Sequence, residues 1–268
     1  MRGPRSGLGL EVVLVLGVSL GASGVRSLVS LIEKMTRPEA LAEQTTSMNS
    51  SYVEDRAWLD LLYQLVNIVL PLVPVALVLY LLWSRPGPAV WVDRDPATGT
   101  LAERRDPWLR LGFNLTRPGF DLARGIGLAA AIGIPGLAFY LLARELGLNT
   151  TVAPGNLAEH WWTVPVYVLA AAMNGILEEV IMLGYVFVRL RQIGWSWWLV
   201  IGVSAVVRGT YHLYQGFGGF AGNLIMGVAF GLLYLRWRRT MPLVVAHTVI
   251  DIAAFVGYAA LAGSVAWL

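Results

Sequence analysis

The apolar runs along this chain are too long and too many to be folded away inside a water-soluble domain. A helix rises about 1.5 Å per residue, so roughly 20 apolar residues cross a hydrocarbon layer about 30 Å thick. Seven such runs are read, at about 8–32, 57–83, 121–144, 161–188, 197–214, 219–235 and 242–264. Of the 268 residues 56% are hydrophobic and only 14% are charged, whereas a soluble domain is about a quarter charged. So little polar surface cannot cover a core. The expected fold is an all-α membrane protein, a polytopic bundle of about 7–8 transmembrane helices. An eighth span arises if 161–192 holds a broken helix. The first run, behind Met1-Arg2-Gly3-Pro4-Arg5, continues to about Ile32, longer than a signal-peptide core, and reads as a signal anchor.

Two function classes drop out. Cysteine is absent, which excludes disulfides, a thiolate nucleophile and cysteine metal sites. The net charge of +3 comes from arginines in short loops rather than from a basic stripe, so no nucleic-acid partner is expected. Of the 20 basic residues only Lys34 is a lysine. With so much Ala, Gly, Val and Leu, this composition points to a bacterial source and thus a bacterial plasma membrane.

The chain divides into residues 1–120, two spans with a long connection after them, and 121–268, a five-span core. The first connection, 33–56, carries Glu33, Lys34, Glu39, Glu43 and Asp55. The second, 84–120, holds Pro86, Pro88, Pro96 and dense charge around Asp93–Asp95 and Glu103–Asp106. Cytoplasmic loops carry an excess of Lys and Arg. With the N-terminus inside, the inner segments hold Arg2, Arg5, Arg85, Arg94, Arg104, Arg105, Arg110, Arg117, Arg189, Arg191, Arg236, Arg238 and Arg239; the outer ones hold only Lys34, Arg37 and Arg56. An N-in orientation is expected. Trp161, Trp162, Trp195, Trp197, Trp198 and Trp237 fall near span ends, where indoles prefer the interface. Gly218/Gly222 and Gly227/Gly231 have the small-xxx-small spacing of closely packed helices.

Ionisable residues inside spans carry the functional argument, since each costs about 2.5–3.5 kcal/mol at a helix centre without partners or water. Three clusters occur. In Asn174-Gly175-Ile176-Leu177-Glu178-Glu179, two adjacent carboxyls point about 100° apart, so one can face a cavity while the other holds a partner. Asn174 shares a face with Glu178. In Arg208-Gly209-Thr210-Tyr211-His212, Arg208 and His212 are neighbours one turn apart, and Arg208 is a natural counter-ion for Glu178 or Glu179. In His247-Thr248-Val249-Ile250-Asp251, Asp251 can orient His247 or reach with it into a shared site. A glutamate and two histidines suit the activation of water, with the carboxylate as general base and imidazole or a held metal stabilising the developing oxyanion.

The order Glu-Glu-x-x-x-x-Gly, a helix ending in His, and a late His-x-x-x-Asp resembles the CAAX prenyl-protease and bacteriocin-processing family (CPBP, also Abi) over about residues 160–255. The resemblance implies an intramembrane, glutamate-dependent endopeptidase of helical fold. It implies Glu178 and Glu179 as the paired acids, with Glu178 the base, His212 and His247 as the motif histidines and Asp251 at the fourth position after His247. His212, His247 and Glu179 make the candidate ligand set for a metal such as Zn2+, leaving a position for water. Two positions depart from the family pattern: Leu183 stands where Arg is expected, and Asp251 where Asn is common. Arg208 is the candidate substitute cation. The partners expected are the lipid bilayer and a membrane-embedded or lipidated peptide substrate. The alternatives are a non-catalytic scaffold or immunity protein of the same family and, with no inverted repeat to support it, an ion-coupled transporter. Depth poses a difficulty. Glu178 falls mid-span, His212 near the outer end of its run and His247 near the inner end of its own, so a span must tilt, shift or break, with Gly175 and Gly209 as expected break points.

Overall fold

A computed structural model describes residues 4–94, 101–103 and 106–261. Arg2, Arg104 and Arg105, used above for orientation, lie outside the described residues, as do Asp95, Pro96 and positions 262–264 of the last expected span.

The first apolar run forms α1 (Pro4–Gly17) and α2 (Leu20–Met35), bent by 53° at the break between them. A short strand β1 (Thr45–Ser47) follows. Next, α3 (Ala57–Val69), a 3-10 turn at Leu70–Leu72 and α4 (Val73–Ser84) make one rod, Ala57–Ser84. The turn coincides with Pro71 and Pro74, which lack the N–H that an α-helix uses. The long connection contains an antiparallel hairpin, β2 (Val92–Arg94) with β3 (Leu101–Glu103), and a short helix α5 (Pro107–Leu111). Asp106 caps α5 by accepting from the Leu109 N–H, and Gly112 ends it with φ +63°. Helix α6 (Pro118–Glu145) leads to strand β4 (Thr151–Ala153), which pairs in parallel with β1, Thr45 opposite Thr151.

The centre is one continuous segment of 31 residues, Thr163–Ile193: α7 (Thr163–Glu179), a π-helical stretch Val180–Val186, and α8 (Phe187–Ile193). Of its apolar window 61% is buried, against 11% for α6, so it is the hub and α6 a peripheral helix. Helix α9 (Trp197–Tyr211), a 3-10 turn Leu213–Gln215, α10 (Phe217–Trp237) and α11 (Met241–Leu261) complete the bundle. Helix α11 packs on α6 and α7, α10 on α9, and α2 along α9.

Large apolar side chains face outward along these helices, among them Val13 (65% exposed), Leu70 (61%) and Ile134 (71%). Such a surface fits lipid, not water. Among the described residues five helices are long and apolar enough to cross a membrane, or six if the bent α1–α2 pair is one span. The protein is an all-α, multi-pass membrane bundle. Several local expectations are corrected. The run at 197–214 is helical only over 15 residues, about 22 Å at helical rise. The segment 161–192 is not split into two spans. Gly175 and Gly209 do not break their helices; they are points of close approach. A Cβ at Gly175 would stand 2.6 Å from Thr248 Oγ1, and one at Gly209 2.9 Å from Phe220. Gly218 and Gly222 meet α6, whereas Gly227 and Gly231 meet α9.

Two residues read as loop charges are buried instead. Lys34, in the last turn of α2, donates to Thr46 Oγ1 and to the Tyr214 carbonyl. Arg189 in α8 is fully buried and donates to Glu11 Oε1 of α1 and to the Leu81 and Arg85 carbonyls. Trp162, expected at the interface, is 6% exposed and stacks on His160 with ring centroids 4.8 Å apart, while its neighbour Trp161 is 87% exposed.

Candidate active site

The two glutamates occupy the last two positions of α7, at the entry to the π-helical stretch. A π-turn inserts one residue into the helical repeat and re-aims the side chains around it, and such bulges are frequent at functional sites. The difficulty over depth disappears in the geometry. Counted from the turn at 194–196, Glu179 lies 14 residues up one helix and Tyr211 14 residues up the other. His212 therefore reaches the level of the glutamates because α9 ends early, within the bundle. The start of α11 is moored to α5. Thr240 and Met241 donate their N–H groups to the Leu111 and Gly112 carbonyls, and Leu111 packs against Gly184. This mooring and the close approach at Gly175 bring His247 level with the end of α7.

Glu179 is fully buried. Its Oε1 accepts from the Arg208 guanidinium and lies 2.7 Å from His247 Nδ1. Glu178, 8% exposed, lies between α7, the end of α9 and α11. Its Oε2 accepts from the Tyr211 hydroxyl at 2.7 Å and stands 3.8 Å from Arg208 NH2 and 3.9 Å from His212 Nε2 and His247 Nδ1. On α11, Asp251 Oδ1 is 3.7 Å from His247 Nε2, beyond hydrogen-bond reach, while Asp251 Oδ2 accepts from Asn174 Nδ2 at 3.0 Å. Glu179, rather than Asp251, is the group hydrogen-bonded to His247. All seven residues picked out in the three spans thus come together: Asn174, Glu178, Glu179, Arg208, His212, His247 and Asp251. Of the two alternatives for Arg208, Glu179 is the direct partner. Leu183, where the family pattern has Arg, is buried in the core beyond the π-turn.

The site is not internally satisfied. Among the described residues, both ring nitrogens of His212, Glu179 Oε2 and Arg208 Nη1 are buried without a hydrogen-bond partner. Buried polar atoms left unpaired cost about 1–3 kcal/mol each. Four such atoms gathered at one place could be satisfied by a water molecule or a ligand's polar group. Arg208 also lies over the Phe230 ring at 5.4 Å.

The residues able to hold a metal differ from the expected set. Glu178, Glu179 and His247 offer donor atoms within 4.8 Å of one another; His212 does not join that group. A metal about 2.0–2.2 Å from each donor would sit beside the Arg208 guanidinium, a fixed cation held on Glu179 Oε1, which counts against the fit; Glu179 Oε2 is the oxygen left free to ligate. The arrangement suits the sharing of protons.

Residues 160–253 match the family model described as type II CAAX prenyl endopeptidase Rce1-like. This segment is similar to the CAAX-protease family over about a third of the chain. It spans α7 to α11 and includes every charged residue just described. The assignment supports a CAAX-protease-like endopeptidase. No curated protein and no solved structure matches the chain.

One member of the cluster does not stand out in the sequence. Tyr211 sits between Arg208 and His212 and is 4% exposed. A tyrosine in an apolar run looks like any core aromatic. Its only distinguishing signal was a position one residue before the motif histidine.

Proposed function

We propose that this chain is an intramembrane endopeptidase that hydrolyses a peptide bond of a membrane-embedded or lipidated peptide, with Glu178 activating water. The observation that carries the reading is the convergence of six ionisable side chains from α7, α9 and α11 at one level in apolar helices, with both His212 nitrogens unpaired. Charged groups are kept at such depth for function far more often than for stability.

In this reading Glu178 takes a proton from water, and the water oxygen bonds to the peptide carbonyl carbon. The oxyanion that forms is met by His212, whose nitrogens are available. The C–N bond then breaks and the amine leaves with a proton returned through Glu178. Glu179, tied to Arg208 and His247, fixes the ring of His247 and balances its charge. Asn174 holds the Asp251 carboxylate. The N-terminus is read as cytoplasmic and the membrane as a bacterial plasma membrane, on the arginine bias and the composition.

A non-catalytic scaffold is the second reading, favoured by Leu183 and by the engagement of Asn174 with Asp251. The test is cleavage of a membrane-peptide library by purified protein in lipid, wild type against Glu178→Gln, with and without chelator. Cleavage that the variant loses and the chelator spares is the expected result. A folded wild type that cuts nothing, beside a CAAX protease that cuts in the same assay, establishes the scaffold.

A further inference from the structure

Among the described residues Tyr211 is the one hydrogen-bond partner of Glu178, and it is held from outside the matched segment. Four groups converge on Glu178 Oε2, but only the Tyr211 hydroxyl is within hydrogen-bond reach, at 2.7 Å. Among the described residues nothing donates to Oε1, and that oxygen is not sealed from solvent as Glu179 Oε2 is. The phenol therefore divides the carboxylate into a pinned oxygen and a free one.

The backbone that carries this phenol is gripped by α2. The buried Ser27 hydroxyl donates to the Tyr211 carbonyl at 2.8 Å. One turn earlier, Gly24 lets the helices approach: a Cβ there would stand 3.4 Å from Thr210 Cγ2 and 3.9 Å from the Tyr211 nitrogen. Two turns later, Lys34 donates to the Tyr214 carbonyl, and the Thr150 hydroxyl closes the turn through the Gln215 carbonyl at 3.1 Å. Those carbonyls end α9 and have no helical partner of their own. Their satisfaction from α2 and the β4 loop fixes where α9 stops, and so where Tyr211 and His212 point. Ser27 and Lys34 are buried polar residues whose partners are neutral oxygens. General packing of α2 on α9 does not require either.

We propose that Tyr211 is a positioning residue for Glu178, set in place by Ser27 of α2, which pins Oε2 and leaves Oε1 turned toward the attacking water. This rests on the reading of Glu178 as the base. The N-terminal region then belongs to the reaction centre, although it lies outside the CAAX-protease match.

The test uses full-length protein in lipid with a cleaved peptide, comparing wild type, Tyr211→Phe, Ser27→Ala and the double variant. Loss of one orienting contact is expected to lower kcat about tenfold in Tyr211→Phe with KM unchanged. Ser27→Ala moves kcat in the same direction by less, and the double variant is no worse than Tyr211→Phe, since both act along one chain of contacts. A wild-type kcat in Tyr211→Phe overturns the proposal. So does a raised KM at constant kcat, which puts the phenol against substrate. Should Tyr211→Phe not fold, Ser27→Ala decides: reduced kcat at constant KM supports positioning, and wild-type kinetics overturns it. An active Glu178→Gln is a separate result that sinks the base assignment itself.

Discussion

The hub segment Thr163–Ile193 carries two buried acid–arginine clusters, and they are built to opposite specifications. Near its end, Arg189 is wholly buried and has an acceptor on every side. It bonds Glu11 Oε1 at 2.8 Å, the Arg85 carbonyl at 2.8 Å, Gln192 Oε1 at 2.9 Å and the Leu81 carbonyl at 2.9 Å. The Tyr185 hydroxyl adds a second bond to Glu11 Oε1. At its middle, Arg208 holds Glu179 but leaves NH1 idle, beside an idle Glu179 oxygen and two idle nitrogens of His212. Among the described residues, the first cluster joins α1, α4 and α8 and leaves a single atom, Glu11 Oε2, without a hydrogen-bond partner, with the Arg85 guanidinium 3.9 Å away. The second leaves four, where water or substrate would supply partners. Both cost desolvation; the second is the more open. Burial of charge in a membrane therefore does not by itself mark a site. A concentration of unsatisfied atoms is the better sign.

The sharpest way to break this contrast is Glu178→Gln. It should reduce cleavage at least about a hundredfold, the usual worth of a general base, with unchanged thermal unfolding in detergent. A loss of fold instead would make the open cluster as structural as the closed one. Next comes Arg189→Met, which strands Glu11 in the core. A broken buried pair costs about 3–5 kcal/mol, so the unfolding transition should fall sharply, and Glu11→Leu with Arg189→Met should recover most of it. Unchanged stability with lost cleavage would mean that the closed cluster serves the reaction.

His212→Ala is expected to lower kcat by about a hundredfold, in the range for an oxyanion donor, with little change in unfolding, because its nitrogens hold nothing. His247→Ala tests the same distinction within the site. It removes a partner of Glu179 and should lose both activity and about 1–3 kcal/mol of stability. Equal stability losses in the two histidine variants would erase the difference. The smallest expected effect is Gly175→Ala, where a methyl 2.6 Å from Thr248 Oγ1 pushes α11 from α7. Overpacking of this kind costs about 1–3 kcal/mol and should reduce kcat by separating Glu179 from His247.

Much of this was legible in the chain itself. The rods Ala57–Ser84, Pro118–Glu145 and Met241–Leu261 lie where apolar runs of membrane length placed them. The adjacent glutamates and the two histidine motifs stood out because charge in such runs is rare. Other features gave no local signal. Glu11 and Arg189 are 178 residues apart, and Arg189 at the end of a run reads as a loop arginine. Tyr211 reads as a core aromatic until its hydroxyl is seen on Glu178. Ser27 and Lys34 lie in a different region from the motifs they support.

Composition and run length alone decided that the chain is a helical membrane bundle, because a backbone in lipid must satisfy its hydrogen bonds within each segment. They also decided which residues were candidates, because each charge there needs a reason. Only the tertiary structure decided that the candidates meet, that Glu179 is sealed while Glu178 keeps slight exposure, and that an arginine with an acceptor for each nitrogen lies one π-turn away. These outcomes depend on a helix that ends after 15 residues, a π-turn after Glu179 and a final helix moored to α5. Each is set by contacts between segments distant in the chain, where no periodicity records them.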